Sequence, residues 1–124
     1  MNLEFIQELW DKDSVIDNEL LHSESTRVPA LHAKYYKIYN NILTLKKAQE
    51  TRYKVLKKEK WQYYTGKASP EVYAEKPFDF KVIKSDLGIY FDGDEDLIKC
   101  IAKIDYYQIM LDYLDSILKV ILNR

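Results

Sequence analysis

A chain of 124 residues suffices for one domain with a modest core. Apolar residues are 47% and charged residues 31%, a globular balance rather than a disordered one. The net charge of −1 gives no overall pull toward polyanions, and the single cysteine excludes an intrachain disulfide or a cysteine-based zinc spacing.

The opening MNLEFIQELWDKD lacks a basic start and a long apolar stretch, so it does not read as a signal peptide. Leu3, Ile6, Leu9 and Trp10 repeat at helical spacing, and Asn2 stands where a cap belongs. Asp11, Asp13 and Ser14 read as a break, with Ser14 or Asp17 capping a helix that runs through Leu20 and Leu21 toward Val28. Pro29 then either kinks a continuous helix or occupies the first turn of a new one capped by Thr26.

The helix expected over residues 30–65 divides in two. Leu31, Tyr35, Ile38, Ile42 and Leu45 alternate steps of four and three, the pattern of a packing seam. The seam then meets Gln49 and Arg52 and fails, and a charge run begins. At 1.5 Å per residue the helix from Pro29 to Thr65 extends about 55 Å, so it needs a partner helix along it.

The run from Lys46 to Lys67 reads KKAQETRYKVLKKEKWQYYTGK. Its many cations stand against Glu50 and Glu59 alone, and Tyr53, Trp61, Tyr63 and Tyr64 are interleaved with them. Residues 27–67 hold eleven cations and two acids, whereas residues 1–26 and 68–124 are each net acidic. Cations neutralise phosphates, and aromatic faces stack unpaired bases at roughly 1–3 kcal/mol each. The mixture suits single-stranded nucleic acid better than duplex. Helical spacing places Lys54, Lys58 and Trp61 on one face, and Lys60, Tyr64 and Lys67 in a second row. These residues and Lys57 are the candidate DNA contacts. The ordinary alternative is a solvated helix face with tyrosines in a core.

Gly66 is a natural stop, followed by Ser69 and Pro70. Residues 66–93 read as irregular, with one helical turn over Glu71 to Glu75. Phe78, Phe80 and Val82, then Ile89 and Phe91, alternate enough for a short β-hairpin around Ser85–Gly88, or for a loop pinned by aromatics. Asp92-Gly93-Asp94-Glu95-Asp96 fails the calcium-loop pattern, since its sixth position is Leu97 and its twelfth Lys103. It reads instead as a helix start capped by Asp94.

The last helix, over residues 94–122, carries two apolar stripes. One is Leu97, Ile101, Ile104 and Leu111; the other is Tyr107, Met110, Leu114, Ile117 and Ile121. Two stripes exceed what one partner helix requires, which points to a homo-oligomer. Cys100 lies in this apolar run as a small core residue. The acids and Lys119 within Ile104–Leu122 rule that stretch out as a membrane span. His22 and His32 have no Cys or carboxylate at ligand spacing, no phosphate-binding glycine loop occurs, and no carboxylate pair stands out. The expectation is a non-enzyme without metal or cofactor. The fold expected is mostly all-α: one domain, a long helical hairpin or bundle with an irregular middle.

The sequence resembles the UvsY family of T4-type phage recombination mediators. The opening MxLExxQEL, continuing KxD, xxID and L, is carried by Met1, Leu3, Glu4, Gln7, Glu8, Lys12, Asp13, Ile16, Asp17 and Leu21. The basic helix ends in a family-like basic run before YY-S/T-G, here Lys57, Lys58, Lys60, Tyr63, Tyr64, Thr65 and Gly66. Asp96–Lys99 and Leu111–Asp112 correspond loosely to later elements. The likeness is gapless over the first half and weaker but collinear beyond it.

The resemblance implies a non-catalytic protein of the infected host's cytoplasm that binds single-stranded DNA and forms a ring-like, heptamer-like homo-oligomer. It implies contact with a single-strand-binding protein and a RecA-type recombinase, which the mediator helps onto the strand. In the family, the basic residues just before YY-S/T-G bind DNA; the matching positions are Lys58 and Lys60. Relatives continue past the position of Arg124 with a basic amphipathic tail, which bears on ring size. A different class of function, also consistent with the residues, is a helical adaptor whose basic helix binds an acidic protein.

Overall fold

The structure, a computed structural model, describes residues 1–15, 21–78 and 82–123, with side chains from residue 27 onward in the second stretch. Every described element is helical: α1 (Leu3–Asp13), α2 (Leu21–Tyr64), α3 (Pro70–Glu75), a 3₁₀ turn (Lys84–Asp86), α4 (Leu87–Asp92) and α5 (Glu95–Leu122). The chain is therefore all-α. It divides into two compact units, one formed by Met1–Lys46 with Tyr106–Arg124 and the other by Lys47–Asp105.

In the first unit, α1 starts as its sequence directs. Asn2 Oδ1 accepts from the Phe5 amide at 2.8 Å, satisfying one of the free donors at the helix start. The helix continues to Asp13, and Ser14 closes it, its amide donating to the Trp10 carbonyl. Asp17 and Leu20 lie outside the described residues. The expected seam is buried at Leu31, Tyr35, Ile38 and Ile42, but Leu45 is exposed. It packs with Ile6 of α1 and with Met110, Leu114, Ile117 and Ile121 of α5, the second of the two expected stripes. Trp10 meets Tyr35 edge-on at 5.5 Å. Asp13 accepts from Lys34 at 2.6 Å and from the Tyr35 hydroxyl at 2.8 Å.

Helix α2 begins at Leu21 rather than at residue 30, and Pro29 lies inside it. An interior proline removes one helical hydrogen bond. Pro29 is exposed, so no core side chain has to move for its ring, and the seam that follows it holds the helix on course.

The second unit begins in the lower half of α2, whose end is built by Gly66. With φ at +78°, Gly66 takes the left-handed conformation that costs other residues strain. The Lys67 amide then donates to the Gln62 carbonyl at 2.8 Å, and the Gly66 amide to Tyr63 at 3.3 Å. These two bonds are the Schellman pattern for satisfying terminal carbonyls. The chain folds back so that the Tyr73 hydroxyl donates to the Tyr63 carbonyl at 2.7 Å, and the Tyr63 hydroxyl to the Lys76 carbonyl at 2.9 Å.

The hairpin around Ser85–Gly88 is not what forms. No strand occurs among the described residues: Ser85 lies in the 3₁₀ turn, and Ile89 and Phe91 lie in α4. The competing period wins. Leu87 is buried and Tyr90 and Phe91 are half-buried, at steps of three and one, while Ile89 is 71% exposed. Phe80 falls outside the described residues. Asp94 caps α5 as expected, its Oδ1 accepting from the amides of Asp96 and Leu97 at 3.0 and 3.1 Å. Leu97 and Cys100 are buried, whereas Ile101 is 42% exposed.

Candidate nucleic-acid interface

The second unit contains all seven candidate contacts, and it sorts them into two sets. Lys54 and Lys58 stand exposed on one side of α2 with no ion pair among the described residues. Trp61, on the same face by spacing, is 39% exposed. Lys67 no longer follows Lys60 and Tyr64 in a row, because α2 ends at Tyr64. The reversal at Gly66 brings the Lys67 ammonium over the Trp61 ring, 4.4 Å from its centroid, a cation–π distance. Lys57 is exposed and lies 5.6 Å from the Phe91 ring centroid and 5.8 Å from that of Tyr53.

Lys60 and Tyr64 turn the other way. The Lys60 ammonium is 2.7 Å from Asp96 Oδ2 and 3.4 Å from Asp94 Oδ2. The Tyr64 hydroxyl donates to Asp94 Oδ2 at 2.6 Å. Its ring packs among Tyr63, Phe78, Tyr90 and Phe91 with centroids 5.2–6.1 Å apart. One carboxylate thus caps α5, receives the Tyr64 phenol and faces the Lys60 charge, with only 6% of its side chain exposed.

The electrostatics follow from this geometry. Burial works against ionisation of Asp94, but the Tyr64 hydroxyl, the Leu97 amide and the Lys60 charge together hold its pKa below the ordinary value. The hydrogen bond from Lys60 does the same for Asp96. Burial disfavours the charge on Lys60 as well, yet the two carboxylates outweigh it and raise its pKa. Burial and the bond to Asp94 push the Tyr64 phenol well above its usual range.

The sequence marked Asp94 and Asp96 only as helix-start acids. Their second role, holding Lys60 and Tyr64, has one sequence signal: an acid-rich helix start offered to the end of a basic helix. Among the described residues no three His, Cys, Asp or Glu side chains gather as a metal site would require, and no helix is long and apolar enough to cross a membrane.

An exposed lysine row beside a half-open tryptophan can bind a strand's phosphates and stack a base. Comparison with known proteins gives that arrangement its context. Residues 9–124 match the family described as recombination, repair and single-stranded-DNA-binding protein UvsY. The chain belongs to the UvsY family. The recombination protein uvsY of Enterobacteria phage T4 is 27% identical over 124 residues, which is all of this chain and 88% of that protein. A crystal structure of the bacteriophage T4 recombination mediator protein UvsY, in lattice type II, matches with a TM-score of 0.87 at 27% identity. The match covers 99% of this chain and 87% of that one. The lattice type I form matches with a TM-score of 0.83 at 25% identity, covering 94% of this chain and 86% of that one. The UvsY family description names binding to single-stranded DNA, recombination and repair, and the all-α fold is shared with the T4 structures.

Proposed function

We propose that this protein is a non-catalytic recombination mediator. It binds single-stranded DNA through the outer side of α2 and helps a RecA-type recombinase replace a single-strand-binding protein on the strand. It works as a ring-like homo-oligomer in the infected host. The family description and the mediator role stated for the T4 protein support this reading. The observation that carries it is the outward row of Lys54, Lys58 and Trp61, with Lys67 over the tryptophan ring. Lys57 flanks the row and adds charge. Lys60 and Tyr64 are assigned a different part: they hold the start of α5 against α2, so that the row is presented on a fixed frame.

Fluorescence anisotropy of labelled oligo(dT) over a salt series tests the DNA contacts. Each phosphate that a lysine neutralises adds about 0.7 to the log–log slope for single strands. Lys54→Ala with Lys58→Ala should therefore make the slope shallower by about 1.4. An unchanged affinity and slope would leave the row to an acidic protein partner instead. Light scattering tests the ring, and a full-length chain that stays monomeric at tens of micromolar, roughly, argues against it. The mediator step is read as faster recombinase filament formation on a strand coated with single-strand-binding protein.

A further inference from the structure

We infer that Arg52, Lys99 and Lys103 form a second phosphate-binding site for the same strand, on the side of α2 that faces α5. The inference rests on the single-strand-binding reading and extends it to residues of α5 outside the basic run. The second unit contains an open notch of about 530 Å³. Gln49 and Arg52 line it from α2, and Asp96, Lys99, Cys100 and Lys103 from α5. Steps of three on α2, and of three, one and three on α5, put each set on one helix face. The two faces are held together at this level. The Cys100 thiol reaches the Gln49 carbonyl at 3.7 Å, and Lys60 ties α2 to Asp96 at 2.7 Å.

The charge balance in the notch is one-sided. Its one carboxylate, Asp96, is drawn to Lys60 at 2.7 Å and stands against three cations. Arg52, Lys99 and Lys103 are exposed and make no ion pair among the described residues. Folding therefore gathers three like charges from sequence positions about fifty apart and leaves the notch with an excess of positive charge. Like charges gathered in one notch repel one another, and a bound anion reverses the sign. An arginine offers a two-pronged donor to phosphate and a lysine a mobile point charge. The chemistry is that of a phosphodiester backbone. Arg52 precedes Lys54 by two residues, which is about 200° round the helix. The notch therefore adds to the outer row rather than duplicating it, and a strand that uses both must pass round α2.

The test compares the full chain with Arg52→Gln/Lys99→Gln/Lys103→Gln and with the Lys54→Ala/Lys58→Ala variant, on oligo(dT) over a salt series. The triple variant is expected to keep its melting temperature, to bind at least tenfold more weakly at low salt and to show a slope shallower by about 2, at 0.7 per phosphate. If the triple variant fails to fold, Lys103→Gln alone carries the test, with an expected slope change of about 0.7. If the parent chain itself fails to bind oligo(dT), the function proposed above is wrong. If the parent binds, the outer-row variant is weakened and the notch variant is not, only the notch inference falls. Inorganic phosphate separates a strand site from a free-anion site. Phosphate that shifts the Lys99 and Lys103 resonances while the substitutions leave oligo(dT) affinity intact overturns the assignment to a strand.

Discussion

The Lys60 ammonium lies between two carboxylates, while Lys58, two residues earlier, is exposed. Both positions are DNA contacts expected from the sequence, yet their surroundings predict opposite outcomes. Removing one partner of a buried pair costs about 3–5 kcal/mol, because the other charge is left without compensation. With 17% of its side chain exposed, Lys60 gives back part of that to water, so Lys60→Ala should destabilise the second unit by about 2 kcal/mol. Lys58→Ala should change stability by less than about 0.5 kcal/mol and lower the salt slope of DNA binding instead. Urea unfolding followed by circular dichroism separates the two. Equal effects on stability would show that the Lys60 pair is not structural. The same interactions set a pH dependence. Asp94 and Asp96 have folded pKa values below the ordinary 3.8, so their stabilisation is present above that value and is lost as pH falls below it. The Tyr64 phenol is raised above its ordinary 10.0, so its contribution is lost as pH climbs beyond 10.0. Melting temperature against pH should fall on both sides, and Lys60→Ala should make the acid side shallower. No spacing rule could have shown the Lys60 pair, because Asp96 is thirty-six residues away.

Elements whose signals are local were legible in the sequence. Asn2 and Asp94 cap the helices they precede, and the Leu31–Ile42 seam and the Tyr107–Ile121 stripe mark the faces that pack in the first unit. Helix α4 was not legible, because six residues are too few for a period of two to be told from a period of 3.6. The end of α2 offers an element-scale test. Gly66 carries a positive φ, and an added Cβ would meet nothing within 4 Å. Gly66→Ala therefore costs backbone conformation alone, about 1–2 kcal/mol. Gly66→Asn should cost less, since asparagine tolerates this region better. Melting temperatures of the two variants check the order, and an alanine variant as stable as the parent would mean that the turn relaxes to a negative φ.

At the scale of the whole chain, net charge is a poor guide to binding. The second unit has twelve Lys and Arg against eleven Asp and Glu, yet much of its negative charge is committed to Lys60 and to helix starts. Charges more than about 10 Å apart are largely screened at 0.1 M salt, so a strand responds to the row it touches and not to the total. Binding should accordingly be strongly salt-dependent although the sequence pI is about 6.1. It should also favour oligo(dT) over blunt duplex, because an exposed indole ring such as that of Trp61 can stack only on an unpaired base. Trp61→Ala should remove most of that preference, at about 1–3 kcal/mol. Equal competition by duplex would mean that charge alone binds. The basic run was legible as a candidate site, but the division of its residues into exposed cations and inward ties was not, since it depends on where α5 begins.

The chain has two tryptophans, and each compact unit holds one. Trp10 sits edge-on to Tyr35 in the first unit, and Trp61 lies half-open under Lys67 in the second. Intrinsic emission therefore carries one native optical reporter per unit, without any attached dye. In Trp10→Phe the remaining fluorophore belongs to the proposed strand-binding side, and oligonucleotide should quench it. In Trp61→Phe the signal should ignore oligonucleotide and follow only the melting of the packed helices. The pair of single-tryptophan proteins turns a question about which part of a variant has failed into two separate emission readings.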